Sequence, residues 1–101
     1  MSETPSTPNR VKILAEAAEL IVGDRQKDYG TPEENFDRIA TLWSTQIAKK
    51  LVEPLTPTEV AIMLVQLKMA RMVHSPTEDS FKDAAGYIGI AYELSLDEEK
   101  K

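Results

Sequence analysis

The chain has no cysteine, one histidine and four glycines among its 101 residues. Without cysteine it forms no disulfide and no thiolate metal site, which excludes the class of small disulfide-bonded secreted proteins. One histidine cannot build a histidine-ligated metal cluster, and the sequence contains no glycine-rich phosphate-binding loop. Residues 1–5 are polar and lack the order of a signal peptide. These absences predict a cytoplasmic protein.

Long apolar runs and basic stripes are also missing. No segment approaches the ~18–20 consecutive apolar residues that cross a bilayer, so we expect no membrane partner. Acidic residues outnumber basic ones by 17 to 12, which gives a formal net charge of −5. Such a chain repels a phosphate backbone, so we do not expect duplex nucleic acid as a partner. A small phosphorylated ligand is compatible with this negative charge, because its binding needs only a few well-placed cations or a metal.

Apolar residues make up 42% of the chain and aromatic residues only 6%. The core must therefore come from the aliphatic side chains typical of helix packing. No segment alternates with the two-residue period of strands. The helical spacing predicts an all-α, four-helix bundle-like domain over residues 7–96, with helices at about 8–22, 32–51, 57–74 and 80–96. Residues 1–6 and 97–101 are expected to be flexible tails.

Repeated Thr-Pro and Ser-Pro steps mark the predicted helix starts. Each combines a capping residue with a proline suited to the first turn, and the four starts are Thr7-Pro8, Thr31-Pro32-Glu33-Glu34, Thr56-Pro57-Thr58-Glu59 and Ser75-Pro76-Thr77-Glu78. The third helix contains the run 60–65, which is apolar on every side, so we expect it to be the most buried. Gly86 and Gly89 each cost the fourth helix about 1 kcal/mol relative to alanine, which indicates close approach of another helix or of a ligand.

Four carboxylates have the spacing of a candidate metal site. Glu34 and Asp37 lie three residues apart at the start of the second helix, and Asp79 and Asp83 lie four apart at the start of the fourth. Each pair shares a helical face, and two such pairs on facing helices could hold Mg²⁺. The alternative is that these acids cap the helices and stabilise their dipoles, which is the commoner cause of such spacing.

Cations interrupt the apolar third helix and the loop before the second. Lys68 and Arg71 could project together toward the phosphates of a ligand. They could equally lie along the bundle with their charges in solvent, or pair with Asp79 or Asp83. Arg25 and Tyr29, in the loop that follows the first helix, could form a binding loop, while a solvated turn is the plainer account.

Several short motifs match a known family. Asp28-Tyr29-Gly30, Glu34-Asn35-Phe36, Leu42-Trp43-Ser44, Lys68-x-x-Arg71 and Asp83-x-x-Gly86-Tyr87 resemble a family of small phage and prophage proteins catalogued as a domain of unknown function. The resemblance covers roughly residues 20–92 and implies a location inside a bacterial host cell. More distantly, the last two motifs resemble the MazG-like, all-α nucleotide pyrophosphohydrolases.

The MazG-like resemblance implies an activity and a set of site residues. Those enzymes use Mg²⁺ on Glu-x-x-Glu and Glu-x-x-Asp motifs to split nucleoside triphosphates into monophosphate and pyrophosphate, usually as dimers or tetramers. Carried over, Glu34 with Asp37 or Glu59 would stand for the first motif and Asp79 with Asp83 for the second, with Glu34 and Asp83 catalytic. Lys68, Arg71, Arg25, Tyr29 and Asn35 would bind substrate. This chain departs from the pattern, because its third helix offers only Glu59 and its second motif is spaced by four.

Three functions therefore stay open. The first is a phage-encoded MazG-like nucleotide-binding protein with Mg²⁺-dependent pyrophosphohydrolase activity, the second is a non-enzymatic helical interaction protein that modulates a host or phage protein, and the third is a small-nucleotide binder without turnover. Self-association is expected in each case. A bundle of this size cannot turn all of its helical aromatic residues inward, namely Phe36, Trp43, Phe81, Tyr87 and Tyr92.

Overall fold

A computed structural model describes residues 7–23 and 30–99. Its four α-helices are α1 (Asn9–Val22), α2 (Pro32–Gln46), α3 (Pro57–His74) and α4 (Glu78–Glu99), with a short 3₁₀ helix, Ala48–Lys50, between α2 and α3. No strand occurs in these two ranges, so the all-α, four-helix prediction is confirmed. Among the described helices, none is both long and apolar enough to cross a membrane.

Helices α2 and α3 begin with capping boxes, as predicted. Thr31 N donates to Glu34 Oε1 at 3.0 Å, and Glu34 N donates to Thr31 Oγ1 at 3.1 Å. Thr56 and Glu59 repeat the arrangement with distances of 2.9 and 3.1 Å. In each box two backbone N–H groups that have no partner within the helix find one in a side chain. The local sequence therefore determines both helix starts.

The ends of α1 at Val22 and of α3 at His74 agree with the prediction, and the remaining helix ends differ from it. Helix α1 begins at Asn9, and Pro8 occupies the position predicted for Thr7 as the cap. Helix α4 begins at Glu78, earlier than expected, because the Thr77 hydroxyl accepts a hydrogen bond from Ser80 N at 3.3 Å. It also continues through residues 97–99, which were predicted to belong to the flexible tail. Residues 1–6 and 100–101 lie outside the described ranges.

Helix α2 is shorter than predicted and ends at Gln46. The hydroxyls of Thr41 and Thr45 donate to backbone carbonyls one turn earlier, at 3.0 and 2.9 Å, and such bonds weaken and bend a helix. Beyond the 3₁₀ helix, Leu55 N donates to Ser44 Oγ at 2.8 Å. This bond ties the connection between α2 and α3 back to α2, and a contact across eleven residues cannot be read from local spacing.

Helices α3 and α4 form an antiparallel hairpin with the most extensive packing in the described structure. Lys68 contacts Asp83 near the turn, and Thr58 N donates to Glu98 Oε2 at 3.0 Å at the far end. Glu98 thereby caps the start of α3 from the end of α4. The carboxylate lies close to the positive end of the α3 dipole, which favours this pairing.

Helices α1 and α2 pack along the hairpin. Ile21 of α1 lies over the glycine pair of α4, where a Cβ atom at Gly86 would be 3.7 Å from Ile21 Cγ1. The prediction that Gly86 and Gly89 mark the close approach of another helix is therefore confirmed. Phe36 of α2 meets Tyr87 edge to face, with ring centroids 6.2 Å apart.

The core is small. Its buried residues come from α2, α3 and α4, and they are Phe36, Ala40, Val60, Ala61, Ala91 and Leu94. Val60 and Ala61 have no exposed surface, which agrees with the expected burial of α3. The other side of α3 is open, however, since Ile62 is 48% and Val73 89% exposed. The radius of gyration is 15.9 Å, larger than the roughly 13 Å of a compact domain of about 100 residues.

Alanine at two of the glycines is expected to change stability in opposite directions. Gly89→Ala should raise the free energy of unfolding by about 0.5–1 kcal/mol through helix propensity, because its Cβ would lie 3.6 Å from Ile21 Cδ1, an ordinary contact. Gly30→Ala should lower it by about 1–2 kcal/mol, because Gly30 has φ +83° and a Cβ there would lie 2.8 Å from Glu34 Oε1. Urea unfolding measures both changes. Shifts of the same sign would contradict these backbone assignments.

Candidate functional site

A cleft of about 400 Å³ opens where the end of α1, the start of α2 and the middle of α4 meet. Its walls are mainly apolar, and those side chains are Leu20, Ile21, Phe36, Ile39, Leu64, Tyr87 and Ile90. Three polar side chains complete the lining, namely Asn35 from α2 with Lys82 and Asp83 from α4. Gly30 and Gly86 also line the cleft, so backbone without side chains borders it on two sides.

Asp83 is held in a close ion pair at the cleft wall. Its Oδ2 lies 2.8 Å from Lys68 Nζ, and the two side chains are only 19% and 13% exposed. A charge-assisted contact of this length with so little solvent orients both groups. Lys68 and Asp83 are thus two predicted site residues that the fold brings together. The contact is the ion-pair alternative that the sequence had left open.

Lys82 stands beside Asp83 and bridges two helices. Its Nζ lies 3.4 Å from Glu16 Oε1 of α1 and 3.5 Å from Glu78 Oε2 one turn earlier in α4. Desolvation opposes the charged form, but the hydrogen bonds and charges of Glu16 and Glu78 outweigh it, so the pKa of Lys82 is raised above its usual value. Lys82 therefore keeps its positive charge at the edge of the cleft.

The four predicted metal ligands do not form one metal-binding group within the described residues. Glu34 uses its carboxylate in the capping box of α2, and Asp37 is exposed on the same helix. Asp79 is exposed in the first turn of α4, and Asp83 pairs with Lys68. Within residues 7–23 and 30–99, no group of three or more His, Asp or Glu side chains could hold a metal ion. The described carboxylates therefore form no cluster of three or more around a metal position, and the Mg²⁺ site stays a prediction.

The predicted substrate-binding residues separate into three groups. Asn35 lines the cleft. Lys68 does not line the cleft but forms an ion pair with Asp83, which does. Arg71 is exposed and lines a second, more open groove of about 500 Å³ at the hairpin turn, together with His74 and Ser80. Lys68 and Arg71 therefore face different neighbours. Arg25 and Tyr29 lie outside the described residues, so their predicted roles stay predictions.

The sequence reading missed Lys82 and the contribution of α1 to the cleft. Lys82 follows Glu78 by four residues, a spacing that signals an ion pair within a helix. Its second partner, Glu16, lies on another helix and has no signal in the local sequence. Leu20 and Ile21 read as ordinary apolar positions of α1. Only the packing of α1 against α4 turns them into cleft walls.

The described residues define an all-α protein with a cleft of about 400 Å³, a volume at the lower end of the range for small-molecule sites. The chain belongs to the family described as Domain of unknown function (DUF6378), which matches residues 12–95. This match extends from α1 to α4 and covers every helix that borders the cleft.

Two relatives come from mycobacteriophages. The Gene 55 protein of Mycobacterium phage L5 is 42% identical over 92 residues, which cover 90% of this chain and 57% of the relative. The Gene 55 protein of Mycobacterium phage D29 is 42% identical over 78 residues, which cover 76% of this chain and 49% of the relative. The chain thus spans about half the length of these relatives. No solved structure matches it. The predicted resemblance to phage proteins is confirmed, and neither relative's name states an activity.

A double-mutant cycle tests the ion pair at the cleft wall. Asp83→Asn and Lys68→Met should each lower the free energy of unfolding by about 1–2 kcal/mol, because each removes one charge of a largely buried ion pair. The double variant should lose less than the sum. Urea unfolding measures the coupling, and the exposed pair Lys50→Met and Glu53→Gln serves as control. A coupling for Lys68 and Asp83 as small as that of the control would contradict the assigned contact.

The titration of Lys82 tests its contact with α1. Because its folded-state pKa is raised, its ion pairs stabilise the fold below the unfolded-state pKa, and this contribution is lost as pH rises through the folded-state pKa. Glu16→Gln should lower the pKa of Lys82, as measured by NMR titration of its side chain. Glu19→Gln, an exposed change on the same helix, should leave it unaltered. Equal pKa shifts in both variants would contradict a specific contact between Lys82 and Glu16.

Proposed function

We propose that the chain binds a small nucleotide in the cleft between α1, α2 and α4. The observation that carries this proposal is the combination of about 400 Å³ of space, apolar walls from all four helices and three polar side chains. Small-molecule sites commonly have mainly apolar walls and a few polar groups that orient the ligand. A nucleotide matches this division, because it joins a flat base to a charged phosphate.

The base is assigned to the apolar part of the cleft. Phe36 and Tyr87 line it and are held edge to face, while Ile21 and Ile90 supply aliphatic wall. A planar base buries both of its faces well against such side chains. Asn35 adds one amide that both donates and accepts hydrogen bonds, and this is the chemistry needed to recognise the edge of a base.

The phosphate is assigned to Lys82. It is the cation that lines the cleft in the described part of the chain, and its raised pKa keeps it charged. Its contacts with Glu16 and Glu78 are 3.4 and 3.5 Å long, beyond the ~2.7–2.9 Å of close charge-assisted bonds. A phosphate that approaches Lys82 can therefore compete with these carboxylates. Asp83, whose carboxylate pairs with Lys68, lies next to Lys82 on the cleft wall.

Hydrolysis of a nucleoside triphosphate with Mg²⁺ is the finer form of this proposal, and only the MazG-like motifs support it. That chemistry needs carboxylates that converge on a metal. Since the described carboxylates do not form a group fitted to a metal ion, we derive no step through Mg²⁺. Binding without turnover is the function that the cleft supports best.

Calorimetric titration with nucleoside mono-, di- and triphosphates, with and without Mg²⁺, tests the proposal. Saturable binding is expected. Asn35→Leu and Lys82→Met should each weaken it about tenfold, the equivalent of one lost hydrogen bond or ion pair. Lys49→Met, the same change at an exposed position away from the cleft, should have no effect.

Two further measurements distinguish nucleotide binding, nucleotide hydrolysis and the absence of either. Release of pyrophosphate in the same samples would establish turnover, and Asp83→Asn should then abolish it. If no nucleotide gives a binding heat and none shifts the melting temperature of the protein, the proposal is overturned. A helical interaction protein is then the better account.

A further inference from the structure

The α3–α4 hairpin has an open apolar surface, which we call the hairpin face. It is defined by Met63 and Leu67 of α3 and by Phe81, Ile88 and Tyr92 of α4. These side chains are 37%, 46%, 45%, 58% and 68% exposed, respectively. The largest apolar patch on a monomer is often functional, and patches that exceed its usual size mark sites of association.

The hairpin face lies on the opposite side of α4 from the cleft. Phe81, Ile88 and Tyr92 follow one another at spacings of seven and four residues, so they form one stripe of the helix. Asp83 and Ile90 line the cleft, and each follows a member of the stripe by two residues, roughly 200° around the helix axis. A molecule bound on the hairpin face therefore leaves the cleft open.

Helix α3 continues the same surface. The antiparallel contacts of Lys68 with Asp83 and of Thr58 with Glu98 place Met63 and Leu67 beside the part of α4 that carries the stripe. Lys68 is turned toward Asp83, while Arg71 borders the face at the turn, where it lines a groove together with Leu67. The five side chains that define the face are uncharged, and small residues border it at Ala70 and Ala85.

The area of the face fits association of two chains. Its five defining side chains expose on the order of 500 Å², the upper part of the range for the largest apolar patch on a monomer. With the surrounding residues it approaches the roughly 800 Å² that each partner buries in a stable interface. The chain also needs such burial, because only eight apolar residues are buried within the described ranges.

The chemistry of the face favours a copy of the same chain. An uncharged surface offers no electrostatic pattern to select a different protein. It does carry aromatic side chains next to small ones. A twofold axis places the aromatic side chains of one copy opposite the small residues of the other copy. Two hairpins packed in this way form a four-helix layer, in which Met63 and Leu67 of α3 become interior.

We infer that a second copy of this chain packs on the hairpin face and forms a twofold-symmetric dimer. The interface joins α3 and α4 of one protomer to the same helices of its partner. The two clefts face outward, away from the interface. This inference is independent of the ligand proposed for the cleft.

Light scattering after size-exclusion chromatography tests the dimer. The molar mass measured for the wild-type protein should be twice the 11.3 kDa of one chain. Ile88→Glu places a charge in the interface and should raise the dimer dissociation constant at least a hundredfold. Leu42→Glu is the matched control, because Leu42 is 64% exposed on α2 and lies outside the hairpin face. It should leave the dimer intact.

A wild-type monomer at 100 µM overturns the inference, and so does a dimer that Leu42→Glu dissociates and Ile88→Glu does not. Should Ile88→Glu lose its helical circular dichroism, cross-linking decides instead. The chain has no cysteine, so Ile88→Cys and Leu42→Cys each carry a single thiol. A short bismaleimide should join two copies of the Ile88→Cys variant and not of the Leu42→Cys variant. The reverse result, or no joining of either, overturns the inference.

Discussion

Small side chains along α4 set the spacing of this fold. The buried positions of the helix are Ser80, Ala84, Gly86, Ala91 and Leu94, of which only the last is large. Helices α3 and α1 therefore approach α4 closely, one on either side. Glycine within a helix costs about 1 kcal/mol relative to alanine. Ile21 packs over Gly86 and Gly89, where an added Cβ would make only an ordinary contact with it. The other helices take their positions from this central one.

The same constraint explains both the cleft and the open surface. Close packing against small side chains buries backbone and methyl groups, so few large residues enter the core. Where α1 ends and α2 begins, the bare backbone at Gly86 borders the space that becomes the cleft. On the far side of α4, Phe81, Ile88 and Tyr92 have no partner helix within the described chain. The two proposals thus concern opposite sides of one helix.

The family motifs serve the fold as well as the site. Glu34 closes the capping box of α2, and Asp83 forms the ion pair with Lys68. An acid in a motif is therefore not by itself a metal ligand, because helix capping and ion pairing account for its position equally well. The motif residues that line the cleft are Gly30, Asn35, Phe36, Asp83, Gly86 and Tyr87. The proposed ligand would therefore meet residues of three of the motifs.

Local chemistry made the helices predictable. The four-helix class followed from apolar periodicity, and the starts of α2 and α3 followed from Thr31 and Thr56, because a capping box acts within one helical turn. Glycine in the middle of α4 correctly indicated a close neighbour. These features depend on residues three or four positions apart, and the amino-acid sequence alone determines them.

Tertiary structure decided the rest. The end of α2 and the extension of α4 depend on bonds between residues distant in the chain, Leu55 with Ser44 and Thr58 with Glu98. Whether the four carboxylates lie near one another, and whether Glu16 reaches Lys82, depends on where the helix axes lie. The spacing of residues along one helix predicts which face of that helix a side chain occupies. Which other helix meets that face is decided only when the small residues of α4 bring the helices together.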